Sequence, residues 1–220
     1  MRAKILIPIL LILSLISCAD GKDDVLDVAV AQEPPTLDVM VNSSISGKMI
    51  AVGNVYEKLL TLSSDGSIIP ELASSYELSE NGRRLSFMLR EGISFHDGTF
   101  LDAEDAVLSM NRWLDKYQAA GRIAGNGRFH AEGNVIVMES DNSLALLPLM
   151  IASSPQSAVI IPSEYVSDDP VLKDVPPGTG PYEVVSWRYG ESIELAAYDD
   201  YVPYEYDKTP EIRRIIYRFV

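Results

Sequence analysis

Residues 85–107 read LSFMLREGISFHDGTFLDAEDAV, and this run decides how the rest of the chain is understood. Leu85, Phe87 and Leu89 alternate with Ser86, Met88 and Arg90, the period of a strand with one buried face. Gly92 ends that strand, and His96-Asp97-Gly98 is a turn signal in which glycine adopts a positive φ at little cost. Asp102 stands where a helix N-cap belongs, with Asp105 three residues on, a variant of the capping box. Ala103, Ala106, Val107, Met110, Trp113, Leu114 and Tyr117 then follow at helical spacing and predict one broad apolar face over 103–117.

Working outward, Val25 to Ala31 alternates as a first strand and leaves through Pro34-Pro35, which removes two backbone donors and forces an extended exit. The apolar positions Ile50, Val52, Val55, Tyr56, Leu59 and Leu60 predict a helix over 46–60. Asp65-Gly66 and Asn81-Gly82 are hairpin turns, the second joining a strand at Tyr76–Leu78 to the one at 84–90. Beyond the 103–117 helix, residues 121–133 read as a flexible glycine-rich stretch holding Arg122, Arg128 and His130. Val135 with Val137, and Leu144 with Leu146, mark two strands around an Asp141-Asn142 turn. Ala158 to Ile161 is a short apolar strand before a helical turn led by Ser163. Pro176 to Pro181 is a rigid loop leading to a hairpin of 182–187 and 192–198, and Ile212 to Val220 is a last strand.

The run at 85–107 also resembles a known family. Leu89-Arg90-Glu91-Gly92, Phe95-His96-Asp97-Gly98 and Ala103-Glu104-Asp105-Ala106-Val107 are similar to the hallmark segment of bacterial extracellular solute-binding proteins, family 5, the dipeptide, oligopeptide and nickel receptors of ABC importers. Glu33-Pro34-Pro35-Thr36-Leu37-Asp38, Val55-Tyr56-Glu57-Lys58-Leu59-Leu60, Asp65-Gly66 through Leu72-Ala73 and Gly178-Thr179-Gly180-Pro181-Tyr182 match further family motifs in family order. The resemblance covers residues 25–220. It implies a mixed α/β fold, lobe I of a type 2 periplasmic-binding-protein-like receptor of the peptide-binding class, truncated before lobe II. Within that lobe it implies one subdomain from 25–58 and 175–220, and a second, inserted, from 59–174.

Charge and the single cysteine bound the rest. The formal net charge is −14. So acidic a chain lacks the basic footprint of a nucleic-acid binder, so no nucleic-acid partner is expected. Arg2 and Lys4 precede a 12-residue apolar run from Ile5 to Ile16, too short to span a bilayer, and Leu15-Ile16-Ser17-Cys18 forms a lipobox. Residues 1–17 are therefore expected to be a lipoprotein signal peptide and 18–24 a lipid-anchored tether. With one cysteine in the chain no intrachain disulfide forms. Cys18 is the expected lipid anchor, holding an exported protein to the membrane and facing the periplasm or cell exterior.

Catalytic and metal readings fare poorly. His96-Asp97 beside Glu104-Asp105 is explained by turn chemistry and by acids favoured in a first helical turn. His96 and His130 are the only histidines and stand 34 residues apart, short of the three or four ligands a zinc site needs. Gly178-Thr179-Gly180 lacks the Lys-Ser/Thr ending of a phosphate loop, and no serine sits in a Gly-x-Ser-x-Gly elbow. No catalytic residue, metal or cofactor is expected, and a hydrolase is disfavoured.

The resemblance implies that lobe I touches ligand through loops facing the cleft. Here these are Gln32 and Glu33, the loop from Ser44 to Met49, and Arg122. Two readings stand for Glu33 and Arg122: charge-assisted bonds to a peptide amine and carboxylate, or solvated loop residues. The expected function is capture of peptides or a related small solute by a monomeric lipoprotein, with delivery to an ABC permease. The alternative is a truncated fragment unable to bind ligand.

Overall fold

The computed structural model describes residues 24–79, 81–204 and 209–220; the expected leader, Cys18 and most of the tether lie outside the described residues. Among the described residues, ten strands and four α-helices build a mixed α/β fold. In chain order they are β1 (Val25–Val30), α1 (Ile45–Ala51), β2 (Leu60–Leu62), β3 (Ile68–Pro70), β4 (Ala73–Leu78), β5 (Arg84–Leu89), α2 (Ala103–Lys116) and α3 (Gln118–Ala124). There follow β6 (Phe129–Glu132), β7 (Val135–Glu139), α4 (Leu147–Ser153), a 3-10 turn (Ser163–Tyr165), β8 (Tyr182–Arg188), β9 (Ser192–Ala197) and β10 (Arg214–Phe219).

One sheet runs β1-β10-β9-β8 and the other β4-β5-β7-β6, with β2 and β3 forming a small ribbon. In the first sheet β1 is parallel to β10, with Val25 opposite Arg214 and Val30 opposite Phe219, while the remaining pairs are antiparallel. The second sheet is antiparallel throughout. Strand β5 lies at its centre, and the alternation read from sequence has a direct meaning there. Leu85, Phe87 and Leu89 are buried, and the Phe87 ring packs between Tyr76 and Phe129 at centroid distances of 6.4 and 6.2 Å.

Helix α2 packs over this sheet through its apolar face, and its first turn is capped. Asp102 Oδ1 accepts from the amides of Glu104 (2.8 Å) and Asp105 (3.1 Å), while Asp105 Oδ2 accepts from the Asp102 amide at 3.0 Å. This satisfies donors that a helix N-terminus otherwise leaves open. Ala106, Met110, Trp113 and Leu114 are buried beneath it, and the Trp113 indole donates to the Gln156 carbonyl at 2.8 Å. Gly66 and Gly82 take φ of 84° and 67° in the two hairpin turns.

Four expectations are corrected. The helix predicted over 46–60 ends at Ala51, where Gly53 with φ 78° turns the chain. Residues 55–60 are all buried in an irregular run, and a segment enclosed on both faces shows no period of its own. The stretch 121–133 is not a flexible loop but α3 followed by β6. Gly121 is in α3 because a Cβ there would stand 2.7 Å from the Leu114 carbonyl oxygen of the neighbouring helix. Leu144 and Leu146 do not form a strand: they lead into α4, whose first turn holds Pro148, a position that tolerates the missing amide. Residues 158–161 are extended and buried but make a single ladder bridge, Lys58 with Val159, rather than a strand.

Candidate functional site

In open α/β sheets ligands bind outside the carboxyl ends of the strands, so the ends of β1 and β10 are where a site is sought. The two ends meet, the Val220 amide donating to the Val30 carbonyl at 3.1 Å. The β8–β9 turn lies at this same end, because Ser192 faces Arg218 and the Phe219 amide donates to the Glu191 carbonyl.

Glu33 joins the two parts of this rim. Its Oε1 accepts from the Trp187 indole at 2.7 Å and its Oε2 from the Gly190 amide at 3.0 Å. The carboxylate thus holds the hairpin through two neutral donors. No ion pair among the described residues engages it. Trp187 stacks on Tyr189 with centroids 4.9 Å apart and planes 27° from parallel, and Tyr189 is largely exposed. Gln32 is exposed beside Glu33. The sequence reading does not single out Trp187 or Tyr189. Their i, i+2 spacing across a strand end, which puts both on one face, is the signal that could have found them.

The other candidates sit on α1 and α3. Ser44 is the N-cap of α1, its Oγ accepting from the Gly47 amide at 3.1 Å and from Asn42 Nδ2 at 3.0 Å. Met49 is exposed on α1, on the same outward side as Ile45. The Met49 carbonyl accepts from Asn54 Nδ2, which also reaches the Tyr217 hydroxyl at 3.3 Å. Arg122 is exposed on α3, where its backbone carbonyl accepts from Asn142. No hydrogen bond among the described residues ties Arg122 to the Glu33 rim. The structure therefore groups Gln32 and Glu33 with Trp187 and Tyr189, and no hydrogen bond among the described residues joins the side chains of Ser44, Met49 or Arg122 to that rim.

Three polar groups, two of them fully buried, support this frame. Arg112 grips Asp38 through two bonds, Nη1 to Oδ1 at 3.1 Å and Nη2 to Oδ2 at 2.6 Å, and Oδ2 also accepts from the Leu172 amide. This fastens the loop after β1 to α2. His96 is clamped to the loop before β8: the Gly178 amide donates to Nδ1 at 3.1 Å and Nε2 donates to the Gly180 carbonyl at 2.9 Å. Burial pushes its pKa down, so the neutral ring is favoured. Both ring nitrogens are occupied, which removes His96 as an acid, base or ligand. The third group surrounds Glu57, whose pKa rises to about 8 through burial and the nearby Glu71 charge, with Thr179, Tyr201 and Arg90 opposing. No group of three His, Cys, Asp or Glu able to hold a metal is found among the described residues. A polar groove of about 560 Å³ at the β4–β5 turn is lined by Arg83, Arg84, Arg128 and Glu139, but Arg84 is paired with Glu132 and Glu139 and Arg128 with Asp115. No helix of the described residues is long and apolar enough to cross a membrane.

Comparison with known proteins gives the family and the fold. The family described as bacterial extracellular solute-binding proteins, family 5 Middle, matches residues 67–220. The glutathione-binding protein GsiB of Escherichia coli (strain K12) is 27% identical over 191 residues, covering 84% of this chain and 36% of that protein. The probable di/tripeptide-binding protein 5 of Pseudomonas aeruginosa (strain UCBPP-PA14) is 24% identical over 205 residues, covering 80% and 38%. Among solved structures, the binding protein AgaA in complex with agropinic acid from A. tumefacien R10 superimposes with a TM-score of 0.77 at 27% identity, covering 89% of this chain and 40% of that one. A dipeptide binding protein from pseudoalteromonas sp. SM9913 in complex with Met-Leu gives 0.74 at 18% identity, covering 89% and 43%. The chain thus spans little more than a third of the length of the curated relatives it matches.

Proposed function

The chain belongs to the bacterial extracellular solute-binding proteins, family 5, and from that premise we propose that it is the lobe I part of a receptor that captures peptides or related small solutes for an ABC permease. The observation that carries the reading is the family match over 67–220, which includes the β8–β10 rim. The relatives named for glutathione and for di- and tripeptides favour a peptide-like solute over a metal chelate. The proposed ligand surface is the rim of Gln32, Glu33, Trp187 and Tyr189. Glu33 brings negative charge there, and the aromatic pair brings flat apolar area. Ser44 serves this reading as the cap of α1, whereas Met49 and Arg122 contribute only if a ligand or partner bridges from the rim to them.

Two subdomains, 25–58 with 175–220 and 59–174, are part of the proposal. The division of strands between the two sheets supports them, since β1 and β8–β10 make one and β4–β7 the other. Cys18 is proposed as the lipid anchor on the outer side of the membrane, the solute being bound and passed on without chemical change.

The test is a thermal melt of residues 19–220 with and without a pool of di- to pentapeptides. Ligand at 100 times its Kd stabilises the native state by about 2.7 kcal/mol, which for a chain of this size is a rise of roughly 5–10 °C. A cooperative melt that no peptide moves overturns peptide capture by this chain.

A further inference from the structure

Glu57 sits where the chain passes from the first sheet to the second, and four other segments close on it. Its neighbours Val55 and Lys58 bond across the seam: the Gly180 amide donates to the Val55 carbonyl at 3.0 Å and the Leu72 amide to the Lys58 carbonyl at 2.9 Å. The loop before β8 brings Thr179, the β3–β4 connection brings Glu71, the end of β5 brings Arg90, and the segment after β9 brings Tyr201. Glu57, Glu71 and Thr179 are all at most 3% exposed. Two carboxyl groups are therefore buried together at one junction.

The groups that would neutralise a Glu57 carboxylate are turned to other tasks. The Arg90 guanidinium donates to the carbonyls of Glu71 (3.1 Å), Val202 (3.0 Å) and Pro203 (2.9 Å). Lys58 carries its ammonium away to the Ala152 carbonyl at 2.6 Å and to Thr61. Glu57 Oε1 accepts one hydroxyl bond, from Tyr201 at 3.2 Å. The Thr179 hydroxyl lies beside Glu57, where it favours the charged carboxylate, yet its oxygen is buried and meets no partner at full hydrogen-bonding geometry. A protonated Glu57 carries an O–H that Thr179 Oγ1 can accept, which relieves the carboxyl of a charge buried beside Glu71.

We propose that Glu57 is a neutral carboxylic acid in the folded protein at neutral pH, its proton directed at Thr179, and that this proton latches the seam between the two sheets. Burial beside Glu71 raises its pKa to about 8, in keeping with the geometry. Since an unfolded glutamate ionises near 4.5, the native state binds the extra proton between these values. The stability that the latch adds is complete below about pH 4.5, declines as pH rises and is lost above about 8, where the folded carboxyl itself ionises. The inference is independent of the solute and stands or falls without it.

The test compares the chain with its Glu57→Gln variant, which keeps the shape and cannot ionise. Infrared spectra in heavy water at neutral pD should show a protonated carboxyl band in the parent that the variant lacks. Across pH 4.5 to 8 the parent's unfolding constant should rise on the order of a thousandfold more than the variant's. Absence of the band, together with parallel pH courses in both proteins, overturns the proposal. Should Glu57→Gln not fold, Glu71→Gln removes the neighbouring negative charge, and the pH-dependent loss of stability should then end at lower pH. An unchanged course in that variant, with no band in the parent, also overturns it.

Discussion

Replacing Asp38 by alanine isolates a buried charge and should be among the most damaging changes to this fold. The Arg112 and Asp38 side chains are 3% and 2% exposed, and their closest approach is 2.6 Å. Without Asp38, the guanidinium has neither water nor carboxylate to balance it, its Nε already lacks a partner, and the Leu172 amide loses its acceptor. Breaking one side of a buried pair costs about 3–5 kcal/mol, a large share of the roughly 5–15 kcal/mol that a domain has. At about 2–4 °C per kcal/mol for this size, the midpoint should fall by roughly 6–20 °C. The double variant Asp38→Leu/Arg112→Met removes both charges and refills the space with apolar groups. Because desolvation of the pair is then avoided as well, it should recover most of that loss. Thermal and urea unfolding of the parent, both single variants and the double variant make the measurement. If Asp38→Ala loses less than about 1 kcal/mol, or if the double variant is as unstable as the sum of the two singles, the reasoning about an uncompensated charge is wrong.

Gly178→Ala should destabilise the chain by about 3 kcal/mol or more, because its Cβ would stand 1.8 Å from the Val55 carbonyl oxygen; denaturant midpoints check this, and a loss under about 1 kcal/mol would show that the loop before β8 yields. Ser44→Ala should cost about 1 kcal/mol through the lost cap on α1 and leave peptide-induced stabilisation intact, whereas abolished stabilisation in a folded variant would make Ser44 a ligand residue. His96 is held neutral with a lowered pKa, so its contribution is present above about pH 6.5 and is lost as pH falls toward the folded value. Measured in the Glu57→Gln background, where the opposite trend is removed, the unfolding midpoint should fall below pH 6.5; a flat midpoint from there to about pH 5 refutes the clamp's pH dependence.

Features confined to a few neighbouring residues are legible in the sequence. The capping box of Asp102 and Asp105, the turns at Gly66 and Gly82 and the alternation of Leu85, Phe87 and Leu89 each rest on bonds or faces within three or four positions. The motif order carries the family and the α/β class in the same way, since each motif is a short local solution. Periodicity fails where both faces are enclosed: residues 55–60 imitate a helix and residues 158–161 a paired strand, because no solvent-facing side remains to print a period. The rim depends on distance along the chain. Glu33 meets Trp187 across 154 positions and Asp38 meets Arg112 across 74, pairings that exist only because β1 lies parallel to β10 and α2 packs over the loop that follows β1. Sequence determined the capped helix at 103, the glycine turns, the alternating strand at 85–89 and the family to which the chain belongs. Tertiary structure alone decided that Glu33 braces an aromatic hairpin, that Arg122 sits on a helix away from it, and that two buried glutamates share one seam, because side chains far apart in sequence acquire a common environment only when the topology encloses them together.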